Sequence, residues 1–571
     1  IGVTVNSSGA RITFMPSNEA PPPARGAVGI VSQSGALGYA LSQAADRGVP
    51  VSHVLTSGNS CDVDMADYVA FLAEDPSCAA IALCFEGMSE PRRLVAAARR
   101  AWDAGKPVVA CKLATGAQGA QAALSHTGSL AGAEEAYRAA FDRAGVVSVE
   151  NIEALIETAC FFAKAPPPKA RGVAVIATSG GAAIMAADKA EIHGVPLPQP
   201  HAPARAVLEA RIPEFGSPRN PVDITAQVLN DPQSLPECAG ALLADGQFGA
   251  LVVPVVFTGL ASANRVPTYA ELARESGKPV CLVWLAEWME GEGTREAEQE
   301  FLTPLFRSMD RCFATIAAWQ RRADHRVPRT LLATTGAETR ARAAALIAAA
   351  PAATLTEREA KAVLALYGVP VVGERLTHSA DEAAQAAAAL GYPVALKIES
   401  ADLPHKTEAG VIRLGLRDEP EVRDAHAAIV ANAARVTPPP RVAGVLVQPM
   451  APPGIEVLIG GRVDPLFGPL VVVGLGGILV ELLQDRVVGL APLSREEARA
   501  MLDRLKGAAA LRGFRGGAPV DLDRLADILT GVSVFIADHA DSVVELDINP
   551  LICAGTDIVA VDALIVRRPE T

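Results

Sequence analysis

Ala27-Val28-Gly29-Ile30-Val31-Ser32-Gln33-Ser34-Gly35-Ala36-Leu37-Gly38 is an apolar run that breaks on small residues and resumes with helical spacing. That order predicts a buried strand, a tight turn and a helix. Toward the C-terminus, Val51–Leu55, Ala80–Phe85 and Pro107–Cys111 share the apolar texture, each with an Ala-rich helical segment nearby. Strands that alternate with helices imply a parallel sheet covered on both faces. After Ala165-Pro166-Pro167-Pro168 the pattern restarts, with Gly172–Ala177 as strand, Thr178-Ser179-Gly180-Gly181 as turn and Ala182–Ala190 as helix. Leu251–Phe257 and Val280–Leu285 repeat the strand signal. The likeness of the two openings predicts two related α/β domains in tandem.

From Leu355 the texture changes. Thr356 followed by Glu359 is a capping box for a helix through Leu366, closed by Gly368. Val394–Ile398, Val442–Gln448, Leu470–Val473 and Val543–Ile548 read as strands with mixed connections, hence an α+β domain. At the front, residues 1–25 end in Glu19-Ala20-Pro21-Pro22-Pro23, a linker that cannot continue a helix or a central strand. Arg321–Arg329 and the Ala-rich residues 337–353 read as a connector.

The 571 residues are 50% apolar and 20% charged, which fits several globular domains and excludes a mainly disordered chain. A net charge of −13, with 51 basic against 64 acidic residues, argues against a nucleic-acid binder. Aromatics at 4% argue against a stacking platform for single strands. Nine scattered cysteines without a CxxC pair read as reduced thiols in the cytoplasm. No secretory signal opens the chain, and Pro465–Val480, the longest uncharged stretch, is too short and too rich in Gly and Pro for a bilayer span. The expectation is a cytoplasmic protein with neither nucleic-acid nor membrane partners.

Three sets of residues carry chemistry. The corners at Ser34-Gly35 and Ser179-Gly180-Gly181 present backbone amides at helix starts, which suit anions, although any α/β domain has small residues at such corners. His126 lies in Ser125-His126-Thr127-Gly128, a Gly/Ser-rich stretch unlike the apolar setting of a core histidine. A nucleophilic histidine needs one ring nitrogen free and the other bonded, usually to a carboxylate. Glu86, at the end of the strand Ile81–Phe85, is the candidate, since parallel sheets place their sites at strand C-termini. In the last domain Lys397 ends a strand, His405-Lys406-Thr407 follows in a polar loop, and Gln448, Glu456, Gly474–Gly477 and Asn549-Pro550 come later. Asp562 lies thirteen residues beyond Asn549. A strand lysine can neutralise phosphates and oxygen ligands on two strands suit Mg²⁺, so together they point to an ATP site.

These segments carry a resemblance. Gly29–Gly35, Ser57-Gly58-Asn59, Phe85-Glu86-Gly87, Ser125–Gly128 and Asn220-Pro221-Val222-Asp223, then His405–Thr407, Phe467-Gly468-Pro469, Gly474–Gly477 and Ile548–Leu551, are similar to the NDP-forming (ADP-forming) acyl-CoA synthetases. Those are relatives of succinyl-CoA synthetase and ADP-forming acetyl-CoA synthetase, and the likeness extends to feruloyl-CoA synthetase-type members. The resemblance implies two tandem flavodoxin-like doubly wound domains, succinyl-CoA synthetase-like, followed by an α+β ATP-grasp domain. Its expected boundaries are 26–165 for the phosphohistidine domain, 166–330 for the second flavodoxin-like domain, 331–354 for a linker and 355–571 for the ATP-grasp domain. Residues 1–25 would be the tail of an N-terminal CoA-binding domain and a linker.

By the same resemblance His126 is the phosphorylated histidine and Glu86 orients its ring. Ser34, Gly35, Ser179, Gly180 and Gly181 cradle the phosphate. Lys397 and Glu456 bind nucleotide, the Gln448 segment is the adenine hinge, and Asn549 and Asp562 hold Mg²⁺. His405 matches a second histidine that relays phosphate in some members, although Glu408-Ala409-Gly410-Val411 stands where many relatives have Asp-x-Gly-Gly. The implied reaction converts ATP, a carboxylic acid and CoA into acyl-CoA, ADP and phosphate. The acid is short-chain (acetate-like) or a hydroxycinnamate (ferulate-like), and the assembly a homodimer. Two alternatives use the same parts: a nucleotide-binding regulatory or sensor protein, and part of a protein-lysine acyltransferase.

Overall fold

The computed structural model describes residues 2–13, 26–121, 134–226, 231, 233–325, 334–403, 409–477, 485–514 and 517–569. It divides into two compact units, one of residues 1–133 with 141–327, the other of 134–140 with 328–571.

The first unit holds two sheets. In one, β3 (Val28–Ser32), β4 (Val51–Thr56), β5 (Ala80–Phe85), β6 (Val108–Lys112) and β7 (Val147–Val149) run parallel in the order β4-β3-β5-β6-β7. Counted from β3, that is the 2-1-3-4-5 order of flavodoxin-like sheets. The hairpin of β1 (Gly2–Val5) and β2 (Ala10–Thr13) adds antiparallel to β4, so residues expected as a domain tail extend this sheet's edge. The other sheet is wholly parallel: β8 (Gly172–Ala177), β9 (Val222–Asp223), β10 (Phe248–Val255), β11 (Val280–Trp284) and β12 (Leu305–Phe306), ordered β12-β11-β10-β8-β9. Counted from β8, this is the same order again.

The repeat extends to side chains the opening motifs do not contain. Lys106, in Gly105-Lys106-Pro107, donates to the carbonyls of Leu72 (2.9 Å) and Asp75 (2.5 Å). Lys278, in Gly277-Lys278-Pro279, donates to those of Leu243 (2.6 Å) and Asp245 (3.0 Å). Each lysine thus satisfies carbonyls left open at the C-terminal end of an earlier helix, Met65–Glu74 for Lys106 and Ser234–Ala244 for Lys278.

The helices Ile152–Lys164 and Met309–Asp324 lie in one hydrophobic cluster with Val28 and Cys84 of the first sheet and Val173 and Val252 of the second. Arg311 pairs with Glu157 at 2.7 Å, and Thr158 and Thr315 share a hydroxyl bond of 2.9 Å. Arg321 and Arg322, read as connector, therefore belong to a packed helix. The Arg322 guanidinium lies 4.0 Å from the Trp102 ring centre, an arginine stem covering apolar surface.

In the second unit, Thr356 and Glu359 form the expected capping box on the helix Glu357–Ala365. The nearby stretch read as a linker carries a helix, Ala337–Ala349, whose Ala343 and Ile347 are buried in the same core as Leu355 and Leu364. Two antiparallel sheets follow. One is β13 (Arg375–Thr377), β14 (Val394–Glu399), β15 (Ile412–Leu416) and β16 (Gly444–Pro449), ordered β13-β16-β14-β15. The other is β17 (Ile455–Asp464), β18 (Gly468–Leu475), β19 (Arg486–Leu490), β20 (Val543–Ala554), β21 (Asp557–Ala560) and β22 (Ala563–Arg567). Its order is β19-β18-β17-β20-β21, with β22 also on β20. Among the described residues no helix is long and apolar enough to cross a membrane.

Candidate functional site

The first corner stands where β3 and β5 end, at the switch point of a flavodoxin-like sheet. All of β3 is buried, and the chain turns into the helix Gly35–Ser42. Ser34 is extended and its Oγ accepts the Leu37 N–H at 3.3 Å, while the first turn carries no acidic residue. A Cβ on Gly38 would lie 2.6 Å from Thr56 Cγ2, so glycine lets this helix approach β4. Beside it, Gln33 Oε1 accepts the N–H of Glu86 (2.8 Å) and of Gly87 (3.2 Å). Lys112 Nζ donates to the Glu86 and Leu113 carbonyls, both at 2.8 Å. The backbone at Glu86 is thus clamped from two strands, which sets where its carboxylate can point. Sequence reasoning gave neither Gln33 nor Lys112 a role; the signal for Lys112 was a lysine closing a buried strand. His126 lies outside the described residues, and so does His405.

The second corner is built differently. Ser179 is extended before the helix Gly180–Ile192, but its side chain makes no cap bond. Asp223, at the end of β9, comes close: a Cβ on Gly180 would lie 3.1 Å from Asp223 Oδ2. Asp223 Oδ1 accepts the Thr225 N–H at 2.9 Å, and Thr225 sits at φ +61°, a costly backbone for a β-branched residue. Asn220 is structural. Its buried amide donates to the Val173 and Pro198 carbonyls and accepts the Val175 N–H at 2.9 Å, fastening β9 beside β8.

In the second unit, Lys397 is buried on β14 and donates to Glu357 Oε1 (2.9 Å) and the Val561 carbonyl (2.6 Å), with Asp562 at 3.9 Å. The same Glu357 oxygen accepts from Lys361 (2.8 Å) and from Gln448 (2.7 Å). Glu374 accepts from Lys361 and Gln448 as well. Two lysines and two glutamates balance, as buried charges must. The Gln448 side chain is committed to this interior network, so a hinge at this segment would act through its backbone. Glu399, also buried, is pushed above the usual carboxylate range by desolvation, then by Glu357 and Glu374. Glu456 is exposed on β17. Its carbonyl accepts the Gly476 N–H, and a Cβ on Gly476 would fall 2.9 Å from its carbonyl carbon, so the Gly474–Gly477 turn needs glycine there.

β20 and β22 pair antiparallel with Asp547 opposite Leu564 and Ile548 opposite Ala563, which places Asn549 opposite Asp562. Asp547, Asn549 and Asp562 therefore share one face of the sheet. Burial, then the Glu545 and Asp562 carboxylates, push Asp547 up to about 6. Among the described residues no group of three His, Cys, Asp or Glu is placed to hold a metal ion. Two carboxylates and an amide oxygen nonetheless fit Mg²⁺, which takes few protein ligands and completes its shell with phosphate oxygens and water. Sequence reasoning did not single out Asp547, two positions before Asn549 on the same strand face.

The chain matches two family models: the succinyl-CoA ligase-like flavodoxin domain over residues 25–162 and an ATP-grasp domain over residues 347–566. It is 32% identical to the ADP-forming acetate–CoA ligase I of Archaeoglobus fulgidus, covering 96% of this chain and 79% of that protein. It is 31% identical to a trans-feruloyl-CoA synthase from an unknown prokaryotic organism, covering 97% and 78%. It also shares its fold with the Ca. Korarchaeum cryptofilum dinucleotide-forming acetyl-coenzyme A synthetase 1 solved with phosphate and ADP. That match has a TM-score of 0.51 and 24% identity, over 57% of this chain and 70% of that one. With the flavodoxin-like sheets, the ATP-grasp unit and relatives matched over most of their length, the chain belongs to the ADP-forming acyl-CoA synthetases.

Proposed function

We propose that this protein makes acyl-CoA from a carboxylic acid, CoA and ATP through a phosphohistidine at His126. A His126 ring nitrogen attacks the γ-phosphorus of ATP, the β–γ P–O bond breaks, and ADP leaves. A carboxylate oxygen of the acid then attacks the phosphohistidine phosphorus; the P–N bond breaks and an acyl phosphate forms. CoA thiolate attacks the acyl carbon, the C–O bond to phosphate breaks, and inorganic phosphate is released. Such transfers ask mainly for positioning and charge neutralisation. Lys397 supplies a fixed cation, Glu456 binds the nucleotide, and the starts of Gly35–Ser42 and Gly180–Ile192 supply amides. Mg²⁺ held by Asn549 and Asp562, with Asp547 beside them, would offset phosphate charge. Glu86 holds the ring of His126, and His405 is a second station for the phosphate.

The observation that carries this reading is Lys397, fastened by Glu357 and the Val561 carbonyl within 3.9 Å of Asp562. The reading assigns 26–165 to the phosphohistidine domain, 166–330 to its flavodoxin-like partner and 355–571 to ATP, in a cytoplasmic homodimer. Incubation with γ-labelled ATP and Mg²⁺ tests it. Acid-labile, base-stable label is expected on the wild type and absent from His126→Ala. Bound ATP without label on the wild type would overturn the relay.

A further inference from the structure

The second parallel sheet has its own switch point, where β8 and β10 part, and a pocket opens there. Thr178, Val255, Phe257, Arg265, Tyr269 and Trp284 line it. Its position is the one at which open α/β sheets take ligands, and Thr178 leads directly into Ser179 and the helix Gly180–Ile192.

One buried donor in this lining lacks an acceptor, and a half-buried cation beside it has no carboxylate partner among the described residues. Trp284 is only 2% exposed, and its Nε1–H has no hydrogen-bond partner. The Arg265 guanidinium stacks on the Phe257 ring at 5.9 Å and forms no ion pair with any described residue. Neither nearby hydroxyl brings a negative charge: Ser262 donates to the Phe257 carbonyl at 2.9 Å, and burial pushes the Tyr269 hydroxyl up to about 12, keeping it neutral. A buried N–H and a stacked guanidinium call for an oxygen acceptor, preferably an anionic one. The enclosed space is small, ≈ 20 Å³. That exceeds the roughly 10–15 Å³ a single water needs but cannot take an aromatic ring.

We propose that this pocket is the subsite for the far end of the acid, and that it selects short aliphatic acids ending in an oxygen acceptor, a hydroxyl or a second carboxylate. Trp284 Nε1–H and Arg265 donate to that end, while the reacting carboxylate stays at the mouth beside Ser179. The proposal rests on the acyl-CoA synthetase reading and names its substrate class. Acids with an aromatic far end are excluded from this subsite, and simple alkyl acids leave both donors unpaired.

The test uses the full chain without nucleotide, so that it reads the pocket and not the phosphohistidine relay. Butyrate, 4-hydroxybutyrate and succinate, all four-carbon acids, are titrated by calorimetry. One of the two acceptor-ended acids is expected to bind at least about tenfold tighter than butyrate, as a site built around unpaired donors discriminates against a ligand without an acceptor. A preference for succinate assigns the second carboxylate, and one for 4-hydroxybutyrate the hydroxyl. Arg265→Gln should remove a succinate preference and Arg265→Lys restore part of it; Trp284→Phe should remove a hydroxyl preference. Equal or tighter butyrate binding, no binding of any of the three, or a preference that survives both Arg265→Gln and Trp284→Phe would overturn the proposal. The labelling experiment with His126→Ala reads the underlying reaction separately.

Discussion

On the function proposed, the protein would hold phosphate groups in two contrasting ways. At the two corners of the first unit the donors are backbone amides at helix starts, and the side chains around them are small. In the second unit the donor is Lys397, a buried cation fixed by Glu357, with the Asp562 carboxylate 3.9 Å away. Amides at a helix start need no counter-ion, carry no proton that titrates, and are present whenever the corner folds. A buried lysine must be paired before ligand arrives and depends on residues far away in the chain. The corners should therefore tolerate change in a way the nucleotide region does not.

The largest contrast is expected at Lys397. Lys397→Met leaves the negative charge of Glu357 and Glu374 in excess inside the protein. It should destabilise the chain by about 3–5 kcal/mol and lower ATP-dependent labelling on the order of 10²–10³-fold. Thermal melts and initial rates of label incorporation measure both. Loss of labelling with an unchanged melt would mean that Glu357 and Glu374 find other partners.

The next contrast is in pH. The carboxyl of Asp547 is raised from 3.8 to about 6, mainly by burial. The folded chain therefore holds this proton through a window in which the unfolded chain has lost it. Without metal, stability should fall as pH rises from about 4 to about 6 and change little above that. A cation on this face displaces the proton, so stabilisation by Mg²⁺ should grow across the same window and then level. Melting temperatures with and without Mg²⁺ read this directly, and a Mg²⁺ effect independent of pH would remove Asp547 from the site.

Within the first unit a smaller effect separates the corners. Asp223→Asn keeps the acceptor for Thr225 but removes a negative charge beside Gly180. A helix-start charge is worth about 0.3–1 kcal/mol, up to about 2 when partly buried. Inorganic phosphate should bind roughly two- to tenfold tighter, with no gain if the phosphate site is at the first corner alone. ³¹P NMR titration measures it. The smallest difference concerns the caps. Ser34→Ala should cost about 1 kcal/mol because Ser34 caps its helix, whereas Ser179→Ala should stay within about 0.5 kcal/mol because Ser179 does not. Equal costs in denaturant melts would erase the distinction between the two corners.

Much of this was legible in the chain itself. Apolar runs marked β5 and β8 to the residue and β3 to within one, because a strand buried on both faces of a parallel sheet reads as a continuous apolar run. The capping box at Thr356 was readable because both halves lie within one helical turn. The connector reading of Arg321 and Arg322 did not survive, since the Trp102 ring that the Arg322 guanidinium stacks on lies far away in the chain. That Gln448 would donate to Glu357, 91 positions away, was not legible.

Local patterns in the sequence thus determined the strands, the corners, the caps and the lysine that would meet phosphate, since each depends on neighbours within a few residues. Strand order and register decided the rest. They brought Gln33 to Glu86 across 53 positions, tied Lys397 to Val561 across 164, and set Arg265 in one pocket with Trp284, whose Nε1–H has no acceptor. Such contacts form only when distant segments are packed side by side, and no local propensity encodes which segments those will be.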